Sequence, residues 1–381
     1  MSSPAPIYLD HNATTPLLPE VVDAMLPYLR EHFGNPSSGH AYGQRAREAV
    51  ERARGQVALL VGSDAGEIVF TSGGTESNNL AIRGVAEARP ERRHLVTSVI
   101  EHPATARPCA WLAAHGWSVT RLVVDAGGRV RVEEARTALV AGTALLTLMH
   151  ANNETGVLQP VAELAPLAHE ARALVHTDAA QSVGKVPVHV DALGVDLLSI
   201  AGHKLYAPKG VGALYVRRGT PLVPLLLGAA QERALRPGTE NVASIVGLGA
   251  ACEISARTLE EERERVSALR DALWRRLHAG IPGLVLNGHE HDRLPNTLSV
   301  QVPGARGDAV LDACSEVAAS IGAACHAGGG GASSVLTAMG VGEEEALGSL
   351  RLSLGRGTTA AAAEQAATAL IGAWRRVAQL R

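Results

Sequence analysis

Residues 174–216 read LVHTDAAQSVGKVPVHVDALGVDLLSIAGHKLYAPKGVGALYV, and this stretch decides the fold. It holds three apolar runs, LVHTD, DLLSI and VGALYV, each followed or preceded by a polar turn. Near-continuous apolar runs of this length are typical of strands that are buried on both faces of a mainly parallel sheet. The stretch therefore predicts neighbouring buried strands with polar residues at their ends.

Similar apolar runs and helix-compatible segments occur on both sides of this stretch. The apolar runs EIVF, HLVTSVI, VTRLVV and ALLTLMH precede it, and a long charged helix-compatible segment covers 244–279. A strand at NTLSVQV, a helix near 308–320 and a strand at LRLSL follow. Strands that alternate with helices predict the α/β class. We expect a large domain over 15–255 and a smaller α+β domain built from 1–14 and 256–381.

Bulk composition excludes several kinds of partner. The 381 residues are 46% hydrophobic and carry a formal net charge of −3, so no broad attraction to nucleic acid is expected. No uninterrupted apolar run reaches the roughly 18 residues of a membrane span. The first ten residues, MSSPAPIYLD, lack the regions of a signal peptide. We expect a cytoplasmic protein with no direct nucleic-acid or membrane partner.

The positions of the cysteines and lysines limit which of them could form a disulfide, a metal site or a Schiff base. The four cysteines, at 109, 252, 314 and 325, form no CxxC pair, so neither a disulfide framework nor a metal site is predicted. Lysine occurs only at 185, 204 and 209. A desolvated lysine can form a Schiff base, whereas arginine cannot. Lys204 is the best candidate because it directly follows an apolar strand, and we interpret Lys185 and Lys209 as solvated loop charges.

The segment EIVFTSGGTESNNLAIRG, residues 67–84, reads as strand, glycine turn and helix. Backbone N–H groups at a helix N-terminus stabilise an anion, and Gly73 and Gly74 allow a phosphate to approach closely. Thr75 lies near the predicted helix start. A plain capped turn explains the same pattern, so the segment alone leaves both possibilities open.

Asp178 closes a predicted strand, and Gln181 follows three residues later. A carboxylate at the carboxyl edge of a parallel sheet lies where such folds bind ligands. In an enzyme that uses pyridoxal 5′-phosphate (PLP), this acid would pair with the pyridinium nitrogen. A helix N-cap aspartate fits Asp178 equally well when it is taken alone.

Ten motifs occur in one order along nearly the whole chain: YLDHNATTP, FGNPSSGHAYG, FTSGGTESNN, EHPA, NNETGV, HTDAAQSVGK, GHKLYAPKG, RPGTEN, GAACH and RLSLGR. Together they resemble the cysteine desulfurases, specifically the subgroup that supplies sulfur for iron–sulfur clusters, and the related selenocysteine lyases. The resemblance implies a fold-type I PLP-dependent transferase that acts as a homodimer.

For the cofactor, the resemblance implies that Lys204 carries PLP covalently and that Asp178 binds its pyridine nitrogen. Gln181 would bind the phenolic oxygen, and His102 of EHPA would stack on the ring. The phosphate would be held by a set of polar groups: the backbone at Gly74, the side chains of Thr75 and His203, and Thr239 of the partner subunit. His102 could also be a plain core imidazole.

For the substrate, the resemblance implies that Arg351 of RLSL binds the carboxylate by a bidentate contact, with help from Asn35. Asn153 of NNETG would lie near the substrate and the ring oxygen. Arg351 could instead be a surface charge beside a strand. The chain also departs from many family members, which have a serine before Gly-His-Lys where this sequence has Ala201. Loss of that hydroxyl predicts a somewhat lower affinity for the cofactor.

Cys325 lies in SIGAACHAGGGGASS, a segment of small residues. We hypothesise that Lys204 removes the substrate Cα proton and that the Cys325 thiolate, activated by His102 or His326, attacks the substrate sulfur. The products are L-alanine and a persulfide on Cys325, which passes to a protein acceptor such as an iron–sulfur scaffold.

Three alternatives stay open at this point. A selenocysteine lyase acting on L-selenocysteine fits the Ala-Cys-His segment. A PLP aminotransferase fits Asp178 and Lys204 but has no need of Cys325. A non-enzymatic scaffold is disfavoured because all three residues are present.

Overall fold

The computed structural model describes residues 5–321 and 331–379. Its strands are β1 (Ile7–Tyr8), β2 (Ile68–Thr71), β3 (His94–Ser98), β4 (Ser118–Leu122), β5 (Thr143–Met149), β6 (Leu174–Asp178), β7 (Leu197–Ala201), β8 (Gly212–Val216), β9 (Val285–Leu286), β10 (Thr297–Gln301), β11 (Val317–Ala318) and β12 (Ser349–Ser353). Its helices are α1 (Pro19–Arg30), α2 (Ala41–Val61), α3 (Gly74–Ala88), α4 (Pro103–Ala114), α5 (Val132–Ala138), α6 (Val161–Glu170), α7 (Val190–Leu193), α8 (Val242–Gly280), α9 (Gly307–Asp312), α10 (Ser334–Ala338), α11 (Glu343–Leu347) and α12 (Ala360–Ala378).

A seven-stranded sheet in the order β2-β8-β7-β6-β5-β3-β4 forms the centre of the molecule. Strands β3 to β7 pair in parallel, and β8 is antiparallel to both β7 and β2. Helices cover both faces, so strands such as β5 and β7 are buried along their whole length. The α/β class with a mainly parallel sheet is confirmed, and each predicted apolar run between residues 67 and 216 forms a strand.

A second, smaller core lies around the antiparallel sheet β12-β10-β9. It is formed by apolar side chains from β10, β12, α12 and the second half of α8, including Val266, Leu298, Leu352 and Leu370. Leu9, beside β1, belongs to this core. The helix predicted near 308–320 is wrong in its extent, because α9 ends at Asp312 and the chain then enters β11, which pairs with β1.

The long helix α8 connects the two cores. Its first half packs against α1 and α2 and contributes Ile245, Leu248 and Cys252 to the large core, and its second half contributes Leu273 to the small one. Residues near 335–346 also pack on the large core, although they follow 256 in the chain. The boundary near 255 therefore falls inside a continuous helix, and the division at that residue stays a prediction.

One described helix, α8, is long and apolar enough to meet the length and composition of a membrane span. However, 44% of its most apolar 18-residue window is buried inside the fold. The core helix of a globular protein meets the same criteria, and the packing of α8 between α1, α2 and α12 gives its apolar residues that role.

Candidate active site

A cavity of about 330 Å³ opens at the carboxyl ends of β5, β6 and β7, facing the N-terminus of α3. This is the edge at which open α/β sheets bind ligands. The structure brings together here nine of the residues singled out from the sequence: Gly74, Thr75, His102, Asn153, Asp178, Gln181, His203, Lys204 and Arg351.

Lys204 ends a short 3₁₀ turn, Gly202–Lys204, that follows β7 directly. A Cβ on Gly202 would lie 2.8 Å from the carbonyl oxygen of Val211, so the turn accepts only glycine there. The turn directs the Lys204 side chain into the cavity, where Nζ donates hydrogen bonds to the carbonyl oxygens of Asn12 (2.5 Å) and Ala13 (2.7 Å). The N-terminal segment thus forms one wall of the site.

Asp178 is the last residue of β6, and both of its carboxylate oxygens accept hydrogen bonds. Oδ1 accepts from the backbone N–H of Ala180 at 3.0 Å, and Oδ2 accepts from Nδ2 of Asn78 at 2.6 Å. Asn78 is fully buried on α3 and lines the cavity. Sequence reasoning missed Asn78, although its position one helical turn after Gly74 places it on the face of α3 that covers the sheet.

The N-terminus of α3 forms the end of the cavity that suits an anion. Gly73 is its N-cap and supplies no side-chain cap, so the first N–H groups of this 15-residue helix point outward. A Cβ on Gly74 would lie 3.2 Å from Cβ of Ala201, at the end of β7. Glu76 accepts from Ser72 N and from Arg236 Nε, which fixes the turn before the helix.

Two histidines in the cavity are held in the neutral form. Burial lowers the pKa of His102, an effect opposed by Asp178 and reinforced by Lys204. Nδ1 of His102 accepts from Ala104 N at 3.1 Å, so the proton resides on Nε2. Burial, followed by the charges of Lys204 and the two other lysines, lowers the pKa of His203 to about 4.

Arg351 enters the cavity from β12, in the second core, and its side chain is only 3% exposed. Nη2 forms an ion pair with Oδ1 of Asp10 at 2.8 Å, and Nη1 donates to the carbonyl oxygen of Asn153 at 3.1 Å. Nε has no hydrogen-bond partner within residues 5–321 and 331–379. The side chain is therefore a buried, oriented guanidinium and not a surface charge.

Lys185 contradicts its interpretation as a solvated loop charge. Its Nζ lies 2.9 Å from Oε1 of Gln181 and 3.5 Å from Oδ1 of Asn12, directly behind the cavity. Burial, with smaller effects from Lys204 and Arg351, lowers the pKa of Lys185 to about 7. Sequence reasoning failed here because the local sequence of a lysine that follows glycine in a turn does not show whether its side chain is buried or exposed.

Two other predicted residues, Thr239 and Asn35, do not line this cavity. Thr239 and Asn35 are exposed, and Oδ1 of Asn35 accepts from Ser37 N at 2.9 Å. Cys325 lies outside the described residues. The remaining cysteines, at 109, 252 and 314, are buried, and burial raises the pKa of Cys109 to about 12. In the described part of the chain, no group of three or more metal-ligating side chains occurs.

Comparison with known proteins defines the class of this fold and site. The model of the aminotransferase class-V family matches residues 7–365. A solved NifS-like protein superposes with a TM-score of 0.91 at 36% identity and covers 96% of this chain and 98% of its own. The fold is thus that of a class-V aminotransferase.

Curated relatives identify the family to which the chain belongs within this class. A cysteine desulfurase of Trichormus azollae is 47% identical over 357 residues, 93% of this chain and 89% of the relative. The cysteine desulfurase IscS of Dictyoglomus turgidum is 47% identical over 356 residues, 93% of this chain and 90% of the relative. The chain belongs to the cysteine desulfurase family, as the sequence motifs predicted, and these relatives favour that activity over the selenocysteine lyase alternative.

Proposed function

We propose that the protein is a PLP-dependent cysteine desulfurase, which converts L-cysteine to L-alanine and leaves the sulfur as a persulfide on Cys325. One observation carries the proposal: Lys204, Asp178 and Arg351, from three separate parts of the chain, line one cavity with the N-terminus of α3. A covalent amine, a buried carboxylate, a guanidinium and an anion site are the groups that a PLP enzyme of amino acids needs.

The described residues fit this cofactor. The α3 N-terminus suits the phosphate, with Thr75 and His203 lining the same cavity. Asp178, which is held by Asn78 of α3, suits a protonated ring nitrogen. Gln181 offers Nε2 as a donor for the phenolic oxygen. Among the described residues, Oδ1 of Asn78 is buried without a partner, as expected for a polar wall that a bound molecule completes.

Each cavity residue has a role in this proposal. When it is bound, PLP supplies an electron sink for charge that develops at the substrate Cα. Lys204 holds the cofactor and, once it is released by the incoming amino acid, takes the Cα proton on Nζ. His102, neutral with its proton on Nε2, would lie against the bound ring and would donate toward the substrate sulfur.

Substrate binding depends on Arg351. Its buried guanidinium is held by Asp10 and by the carbonyl group of Asn153, and the side chain lines the cavity where a substrate carboxylate would bind. An oriented guanidinium binds a carboxylate with high geometric specificity. We assign Asn153 to the same end of the substrate, and Asn35 to the outer rim.

The sulfur step requires no external oxidant. The Cys325 thiolate attacks the substrate sulfur, an S–S bond forms as the Cβ–S bond breaks, and the electron pair of that bond stays with carbon. Protonation of this carbon and of Cα gives L-alanine. The sulfur then passes from Cys325 to a thiol of a protein acceptor, such as an iron–sulfur scaffold.

A homodimer is part of the proposal. Large apolar side chains are exposed at Leu29 (64%), Phe33 (79%) and Leu227 (91%). Exposed apolar surface of this kind is typical of a protein interface. Thr239 is exposed in the segment that follows Leu227, which suits our assignment of Thr239 of the partner subunit to the phosphate. The cytoplasmic location stays a prediction.

The experiment that tests the function is alanine formation from L-cysteine by PLP-loaded protein with a reductant, beside the same assay on L-selenocysteine. We expect turnover of cysteine that is lost in Cys325→Ser while the visible cofactor absorbance persists. In Lys204→Ala both turnover and covalent cofactor are lost. Turnover of selenocysteine alone, or full cysteine activity in Cys325→Ser, would overturn the persulfide mechanism.

A further inference from the structure

Lys185 lies directly behind the cavity lining, against Gln181 and Asn12, and has no role in the proposed reaction. Its ammonium faces two amide oxygens, Oε1 of Gln181 at 2.9 Å and Oδ1 of Asn12 at 3.5 Å. In residues 5–321 and 331–379, no carboxylate lies within 4 Å of its Nζ. Burial of an ammonium without a counter-ion costs free energy, so its retention here calls for a function.

The ammonium determines which way the Gln181 amide points. In its protonated form Lys185 has three donors and no acceptor, so it can then face only the oxygen end of a carboxamide. With Oε1 held by Lys185, Nε2 of Gln181 points the other way, toward the cavity, and donates to the carbonyl oxygen of Asn12 at 3.0 Å. A flipped amide would bring two donor groups into contact.

The Asn12 amide is oriented by the same contact. Its Oδ1 faces Lys185 and accepts from Nδ2 of Asn296 at 3.0 Å, and its Nδ2 donates to Oγ1 of Thr297 at 2.8 Å. The backbone oxygen of Asn12 then accepts from both Gln181 and Lys204. Hydrogen bonds that start at Lys185 and at the reactive Lys204 thus converge on the backbone oxygen of Asn12.

We propose that Lys185 is a positioning residue that holds the Gln181 amide with its NH₂ group toward the ligand, so that this wall of the cavity always presents a donor to an anionic ring oxygen. The inference rests on the proposed PLP function and deepens it. Lys185 does not contact the ring and acts only through Gln181 and Asn12.

The test compares Lys185→Met, which keeps the length of the side chain and removes the charge, with Lys209→Met. Lys209 is exposed and is the matched control. PLP is titrated into cofactor-free full-length protein, and the visible band of the holoenzyme is followed with pH. We expect Lys185→Met to bind PLP about fivefold more weakly, the loss of roughly one hydrogen bond. The pH at which the band changes should rise, because the ionised ring oxygen loses its donor, while Lys209→Met should match the wild type.

A double-mutant cycle separates positioning from a direct effect of charge. In a Gln181→Ala background, adding Lys185→Met should cause no further loss of PLP affinity. A full additional loss would mean that Lys185 acts on Lys204 or on packing, and would overturn the proposal. If the wild type binds no PLP, the proposed function fails; if it binds PLP and Lys185→Met is indistinguishable from it, only this inference fails.

A second variant keeps the test decisive if Lys185→Met does not fold. Gln181→Glu leaves Lys185 in place and gives it a carboxylate partner but removes the NH₂ donor. We expect this variant to unfold at a higher denaturant concentration than the wild type and to bind PLP about fivefold more weakly or worse. Unchanged stability or unchanged affinity would contradict the contact described here.

Discussion

Nδ2 of Asn78 donates a 2.6 Å hydrogen bond to Oδ2 of Asp178, a residue one hundred positions further along the chain. The bond joins the helix that begins at the proposed phosphate site to the strand that carries the proposed ring-nitrogen ligand. It holds the carboxylate in one orientation. Cofactor affinity should therefore depend on a residue that contributes no charge.

Replacement of Asn78 by alanine should weaken PLP binding about tenfold, since a hydrogen bond to a charged group contributes about 1.5–3 kcal/mol. Asn78→Asp should weaken it further, because a second carboxylate beside Asp178 favours protonation of the pair. Titration of PLP followed by absorbance measures both. Equal PLP affinity of Asn78→Ala and the wild type would show that Asn78 does not contribute to cofactor binding.

Ala201 lies at the end of β7, where Gly74 approaches it closely. A hydroxyl introduced there would add one donor at the α3 N-terminus. We expect Ala201→Ser to bind PLP about three- to tenfold more tightly, the net value of roughly one hydrogen bond. Ala201→Gly, which changes size without adding a donor, is the control, and tighter binding in both variants would count against the hydroxyl as the cause.

A buried ion pair anchors the segment that carries Thr239. Arg54 donates to both carboxylate oxygens of Glu232 at 2.7 Å, and Glu232, Arg233 and Ala234 all have positive φ. Such backbone persists only where the surroundings enforce it. Glu232→Gln should lower the free energy of unfolding by about 3–5 kcal/mol, the cost of breaking a buried pair, as measured by denaturant titration.

The control for this prediction is Glu51→Gln. Glu51 also pairs with Arg54, but its side chain is 58% exposed. A pair with an exposed partner contributes about 0–1 kcal/mol, so this variant should be close to the wild type. Equal destabilisation by the two variants would mean that burial is not what distinguishes them.

Glu101, beside His102, should make stability depend on pH. Burial raises its pKa to about 8, although Ser98 and the N–H of Met149 donate to its carboxylate and lower it. Between the ordinary value and about 8, the folded state binds a proton that the unfolded state has lost, so the free energy of unfolding falls as pH rises. One such group contributes a slope of up to about 1.4 kcal/mol per pH unit.

Glu101→Gln removes this titration and keeps an amide oxygen for the Ser98 and Met149 donors. Urea unfolding at pH 5 and pH 8 should show that the wild type loses more stability than the variant over this interval. Parallel losses in the two proteins would show that Glu101 is ionised in the folded state at both values.

Local sequence determined the elements and much of the site. Strand bounds followed from apolar runs, because a strand that is covered on both faces must be apolar along its length. Polar residues placed just after those runs, Asp178 and Lys204, necessarily lie at one edge of a parallel sheet. The family motifs then supplied Gln181, His102 and Arg351, which no spacing alone could have connected.

Only the tertiary structure decided which neutral and charged groups support these residues. Asn78, Asn12 and Lys185 lie in turns or on a helix whose local sequence is equally compatible with exposure. Their burial and their long-range hydrogen bonds, from Asn78 to Asp178 and from Gln181 and Lys185 to Asn12, arise when α3 packs on the sheet and the N-terminal segment crosses the cavity. A hydrogen bond between residues 100 or more positions apart depends on how separate helices, strands and loops pack together. The periodicity of the sequence does not reveal that packing.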